Sequence, residues 1–178
     1  MLSWIEQARA STGRFRPTLS VGRDGLFVPL RGGVAQEGAT APVSVLDRRG
    51  KRVGTASLGQ MPESGQGTLP DQLSRLLQAI LSQGDSQLLR LVSVSDAGHH
   101  PSTSYHQVRK NMVDPRRPWR RLEWIRIVDF YHACRDVQQL ADTIFGAGDE
   151  AQTWAKERRH VLKTKADGVT RVLKSASA

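Results

Sequence analysis

The chain has 178 residues, enough for one domain with a real core and with nothing that forces a second. Its 38% hydrophobic and 24% charged residues exclude a disordered or membrane-embedded class, and no run of about 18 apolar residues could cross a bilayer. The net charge of +9 points to a polyanionic partner, nucleic acid ahead of membrane because no basic amphipathic anchor is evident.

Residues 1–17 read as a polar lead-in closed by Pro17. Without an uninterrupted apolar stretch they do not read as a secretory signal, so the cytoplasm is the expected compartment. The single Cys134 excludes an internal disulfide, and no CxxC or HExxH pattern accompanies the 5 histidines, so no structural zinc site is expected. The segment "TLSVGRDGLFVPLRGG" predicts a strand with Asp24, Leu26, Val28 and Leu30 on one face, ended by Gly32 and Gly33. In "APVSVLDRRGKRVGTASLG" two further strands flank the turn Asp47 to Gly50, which completes a three-stranded antiparallel meander.

After a loop rich in Pro, Gly and Ser, the residues Leu69, Leu73, Leu76, Leu77, Ile80 and Leu81 recur at helical spacing up to Gly84. The helix leads into the strand "LLRLVSV", which a right-handed crossover places parallel to an earlier strand. That strand ends on Asp96, a charge that needs a partner or a metal if its surroundings are apolar. Next, "PSTSYHQVRKNM" predicts a short helix with Pro101 in its first turn, "DPRRPWRR" a basic loop, and "EWIRIV" a second parallel strand.

A helix then carries Phe130, Ala133, Cys134, Val137, Leu140, Ala141, Ile144 and Phe145 on one face, with Asp129 as N-cap and Gly146 as C-cap. Another helix starts at Asp149, with a short turn around Val169 to Leu173. From Tyr105 onward, 15 Lys and Arg stand against 9 Asp and Glu, so most of the positive charge lies in this part.

The order of elements suits an open mixed sheet whose first and fourth strands lie side by side. That brings Asp24 and Asp96 together at the carboxyl ends, with about 4–6 Å between carboxylates. Two such carboxylates repel unless a divalent cation lies between them, and hard oxygen ligands favour Mg²⁺ or Mn²⁺. This is the α/β architecture of the ribonuclease H-like fold.

The blocks "GRDGLFVPLRGG", "VSVSDAG" and above all "WIRIVDFYHACRDVQQLADTIFGAGDEAQTWAKERRHVLK" resemble the catalytic domain of DDE-type transposases of bacterial insertion sequences, near the mutator-like branch. The resemblance implies an incomplete ribonuclease H-like core over residues 18–146 and the start of a helical insertion over 147–178. It also implies two-metal DNA cleavage and strand transfer, with Asp24 and Asp96 as catalytic metal ligands. DNA, both element ends and target, is the implied partner in a nucleoid-associated bacterial protein, with self-association left open.

Two departures accompany the resemblance. The third acid, a glutamate after a Gly-Ser-Gly-like motif, has no match, and the region before the first strand is short. The chain is therefore expected to be shortened at both ends and inactive alone. Arg23, directly before Asp24, also stands where an apolar residue is expected.

Other uses compete for these residues. Asp24-Gly25 is also a common turn pair, and Asp96 could cap a helix. Asp129 suits a cap better than the site. His132 could pair with Asp129, contact phosphate or support the fold, and Cys134 suits a buried small hydrophobe. Glu150 and Glu157 are the only later acids that could replace the missing glutamate.

Arg116, Arg117, Arg120 and Arg121, interrupted by Trp119, form the nucleic-acid-contact candidate, since guanidinium forks match phosphate oxygens and indole stacks on bases. The same stretch could be a solvated loop anchored by Trp119. The run Lys156, Arg158, Arg159, Lys163, Lys165 reads as a solvated helix face. Two alternatives to the transposase reading remain: a non-enzymatic DNA-binding remnant, and a small ribonuclease H-like nuclease.

Overall fold

The computed structural model describes residues 1–12, 16–29, 31, 33–63, 67–84, 86–96 and 109–176. Residues 101–108 of the expected helix from Pro101 therefore lie outside the described residues, as do Leu30 and Gly32. Two compact units, Met1–Ile127 and Val128–Ala178, make up the chain. Among the described residues no helix is long and apolar enough to cross a membrane.

The first unit is built on an α/β arrangement of helices with a mixed five-stranded sheet. Its strands are β1 (Thr18–Pro29), β2 (Ala35–Leu46), β3 (Arg52–Gln60), β4 (Arg90–Ser95) and β7 (Trp124–Val128), in the spatial order β3-β2-β1-β4-β7. β1 pairs antiparallel with β2 and β2 antiparallel with β3, whereas β1 pairs parallel with β4. The meander is closed by the expected turn, where the Asp47 carboxylate accepts from the N–H groups of Arg49 and Lys51, each at 2.9 Å. Gly50 takes φ +76° there, a backbone conformation open to glycine and costly for most other residues.

Strand alternation decides where the core lies. Ala39, Ala41, Val43 and Val45 are buried on one face of β2, and Leu19 and Val21 continue that face on β1. Asp24, Leu26 and Val28 fall on the other face, so the apolar residues of the second half of β1 do not build the core.

The core is covered by two helices. α2 (Thr68–Gln83) contributes Leu69, Leu73, Leu77, Ile80 and Leu81, as its spacing predicts. Its first turn is tied down by the Glu63 carboxylate, which accepts from both the N–H and the hydroxyl of Thr68 at 2.8 Å. Those bonds, the backbone one foremost, hold the Glu63 carboxyl below its ordinary range.

The second cover was not foreseen. The expected polar lead-in contains a helix, α1 (Leu2–Thr12), which buries Ile5 and Ala8 in the same core and lays Trp4 over Gly54 of β3.

A further correction concerns "DPRRPWRR". Instead of a loop it forms a two-stranded antiparallel ribbon, β5 (Val113–Asp114) with β6 (Arg117–Arg121). The buried Asp114 carboxylate accepts from the Arg116 N–H at 2.9 Å to close the turn, and the Leu122 N–H bonds the Met112 carbonyl at 3.0 Å. Met112 and Leu122 anchor the ribbon in the core, while Trp119 is 82% exposed and anchors nothing.

The second unit holds three helices, α3 (Phe130–Phe145), α4 (Asp149–Thr164) and α5 (Gly168–Ala176). Val137, Ala141, Ala151, Ala155 and Val172 form its core, with alanines that let the helices approach closely. The expected turn around Val169 to Leu173 is thus a helix. Of the basic run on α4, Lys156, Lys163 and Lys165 are exposed, but Arg158 stacks over Trp154 at 5.1 Å. Arg159 donates to the Gln138 side-chain oxygen at 2.5 Å. Arg159 thus ties α4 to α3, Arg158 packs along its own helix, and both are half-buried and not part of a solvated face.

Asp129 caps α3, accepting from the N–H groups of Tyr131 at 2.7 Å and His132 at 3.2 Å. Partial burial pushes its carboxyl up, but the bonds from the His132 and Tyr131 N–H groups and the His132 ring together hold it below the ordinary range. The cap therefore contributes fully above the unfolded carboxyl value, about 3.9, and fades as pH falls through the lower folded value. Asp129→Ala is expected to cost about 1 kcal/mol at neutral pH and less near pH 3. Denaturant melts of the two proteins at both pH values check this.

Candidate metal centre and basic ribbon

The register of the parallel pair runs from Thr18 beside Arg90 to Arg23 beside Ser95. One step further stand Asp96, just past the end of β4, and Asp24, which lies in the middle of β1 and not at its carboxyl end as expected, because pairing with β2 carries β1 on to Pro29. In-register neighbours on parallel strands point to the same face, and here each carboxylate offers an oxygen within 4.8 Å of the other. Asp24 is exposed and Asp96 half-buried.

The Asp24-Gly25 pair is no turn. It lies inside β1, opposite Thr40 and Ala39 of β2, and Gly25 does not take the left-handed conformation. Gly25 has a different reason to be there: a Cβ at that position would run into the Glu37 side chain. A glycine within a strand often marks such a close approach.

Glu37 is the acid that the sequence reading did not weigh, and it accompanies the unexpected Arg23. Burial lowers the Arg23 guanidinium from its ordinary value, while the charges of Glu37 and Asp96 oppose that effect. Arg23 thus places a positive charge in the field of Asp96 and Glu37 and balances part of their negative charge.

The donor set suits a hard cation. Mg²⁺ binds oxygens at about 2.0–2.1 Å, so its ligand oxygens stand up to about 4.2 Å apart, and small side-chain rotations bring the pair into that range. Among the described residues of this unit no third carboxylate lies equally close to both. Glu150 and Glu157 are exposed on α4 in the second unit, and Asp129 serves as the helix cap. His132 stands with its Nδ1 3.4 Å from the Asp129 carboxylate. Cys134 is half-buried and its thiol is pushed up by that burial, which makes it a poor nucleophile.

The basic ribbon exposes Arg116, Trp119 and Arg121 and half-buries Arg117 and Arg120. With its oxygen turned towards them, the Gln87 side-chain amide accepts from Arg117 at 2.9 Å and from Arg120. Comparison with models of known protein families finds no match for this chain, and comparison with curated proteins finds none.

Proposed function

We propose that the chain carries a ribonuclease H-like core of the DDE-transposase type, in which Asp24 and Asp96 hold Mg²⁺ or Mn²⁺ against a DNA phosphodiester. The observation that carries this reading is the pair itself: two carboxylates within 4.8 Å on adjacent parallel strands, where the pairing of β1 with β4 ends. The strand order β3-β2-β1-β4-β7 and the net charge of +9 support it.

A bound divalent ion supplies Lewis acidity to a phosphodiester undergoing in-line displacement. The chain's own part is positional. Asp24, exposed, presents its carboxylate where substrate arrives, and Asp96, half-buried with the Arg23 charge nearby, is the more fixed of the two ligands. Two carboxylates anchor one ion and leave a second without a protein ligand, so this pair alone is expected to bind metal weakly and to give no end-specific cleavage or joining.

A non-enzymatic DNA-binding role is the second reading, and Arg23 is the observation that favours it, because the guanidinium gives Asp96 a counter-charge without any metal. Mn²⁺ binding separates the two. Under the first reading a weak site disappears when either acid is replaced by Asn; under the second, binding is indifferent to both substitutions.

A further inference from the structure

We propose that an arginine-lined pocket at the amino-terminal end of β1 and β4 binds the phosphates of a single-stranded nucleic acid, with Trp119 stacking on one of its bases. This deepens the nucleic-acid part of the reading above and does not depend on the metal part. The pocket, about 400 Å³, is lined by Arg16, Arg90, Arg120 and Arg121, with Glu123 the single acid on its wall. Residues distant in sequence meet there because the parallel register sets Arg90 beside Thr18, two residues after Arg16. A second hollow of about 290 Å³ shares Arg16 and Arg90 and continues to Arg48 and Arg49 at the β2–β3 turn.

Among the described residues, no carboxylate forms an ion pair with Arg16, Arg90, Arg120 or Arg121. Guanidinium groups gathered in one concavity repel each other, and a polyanion relieves that repulsion. Their planar forks match phosphate oxygens two at a time. Gln87 holds Arg120 in place by accepting its hydrogen bond, so part of the site is set before any ligand arrives.

Two features favour a nucleic-acid strand over an isolated phosphate. The arginines continue from one hollow into the next, which suits successive phosphates. Two residues before Arg121 on the same strand, Trp119 offers an indole 82% exposed on a ribbon anchored by other residues. An open indole face beside a basic groove suits an unstacked base, which a single strand provides. Arg90 opens β4 and Asp96 directly follows its last residue, six positions on and about 20 Å away, so this site and the acid pair are separate.

The test is fluorescence anisotropy of a labelled oligothymidine of about 12 nucleotides, within the usual span of single-strand sites. It is run in EDTA, so the result does not depend on metal binding by Asp24 and Asp96. Affinity is expected to fall with salt at about 0.7 log units per phosphate contact, and Arg90→Ala with Arg121→Ala to flatten that slope by about 1.4. The corresponding Lys substitutions should keep the slope, which guards against misfolded variants. Trp119→Ala is expected to weaken oligothymidine binding about tenfold without changing the slope. Inorganic tripolyphosphate and a duplex of equal length should bind the Trp119→Ala variant and the wild type alike. An unchanged slope in the double Ala variant, unchanged affinity in Trp119→Ala, or tripolyphosphate binding as tight as the oligothymidine would overturn the proposal.

Discussion

Leu77→Ala is expected to destabilise the first unit by about 2–5 kcal/mol, the largest effect of any single truncation considered for this chain. Leu77 is fully buried at the centre of α2, in the cluster that includes Leu73, Leu81, Leu19 and Val43. Removing it gives up the transfer energy of its apolar atoms and leaves a cavity that helix and sheet close only in part. Leu76 precedes it by one residue but is only half-buried, so Leu76→Ala should cost about 1 kcal/mol. Urea denaturation of both variants tests the pair, and equal losses would mean that α2 does not present this face to the sheet.

Gly54→Ala comes next, at about 1–3 kcal/mol. The added methyl would run into the Trp4 indole, which lies directly over this position of β3. A ring in a packed core yields little, so the strain falls on the contact between α1 and the sheet. Trp4→Ala removes the clash together with the packing, and Gly54→Ala in that background should then be nearly neutral. A double-mutant cycle that is additive, with no coupling between the positions, would contradict the placement of α1.

Trp4 also shows why α1 was illegible in the sequence. Its apolar side amounts to Trp4, Ile5 and Ala8 among polar residues, too short a stripe to stand out, and the helix owes its stability to the bare backbone of Gly54 some fifty residues away. By contrast α2, the Asp47–Gly50 turn and the Asp129 and Gly146 caps were legible, because the cause of each lies within a few neighbouring residues.

The candidate site divides in the same way. Asp24 and Asp96 could be paired in advance, since strand order and one-step register follow from helical crossover rules. Glu37 and the Arg16–Arg90 juxtaposition could not, because they depend on which residues meet across strands far apart in sequence. Gly25 was the available signal for Glu37, hidden because Asp-Gly reads equally well as a turn. The basic ribbon read as a loop because Pro118 and four arginines mask the alternation, although Pro is tolerated on an exposed edge strand.

The most direct measurement of the acid pair is calorimetric titration of the purified chain with Mn²⁺, repeated on Asp24→Asn and Asp96→Asn. A single weak site, with a dissociation constant on the order of 10⁻³ M, is expected for the wild type and should be lost in each variant, since neither carboxylate alone can hold the ion. Thermal melts of the same proteins should show that Mn²⁺ raises the midpoint of the wild type only. Mn²⁺ binding of equal strength in all three proteins would contradict a metal centre at Asp24 and Asp96.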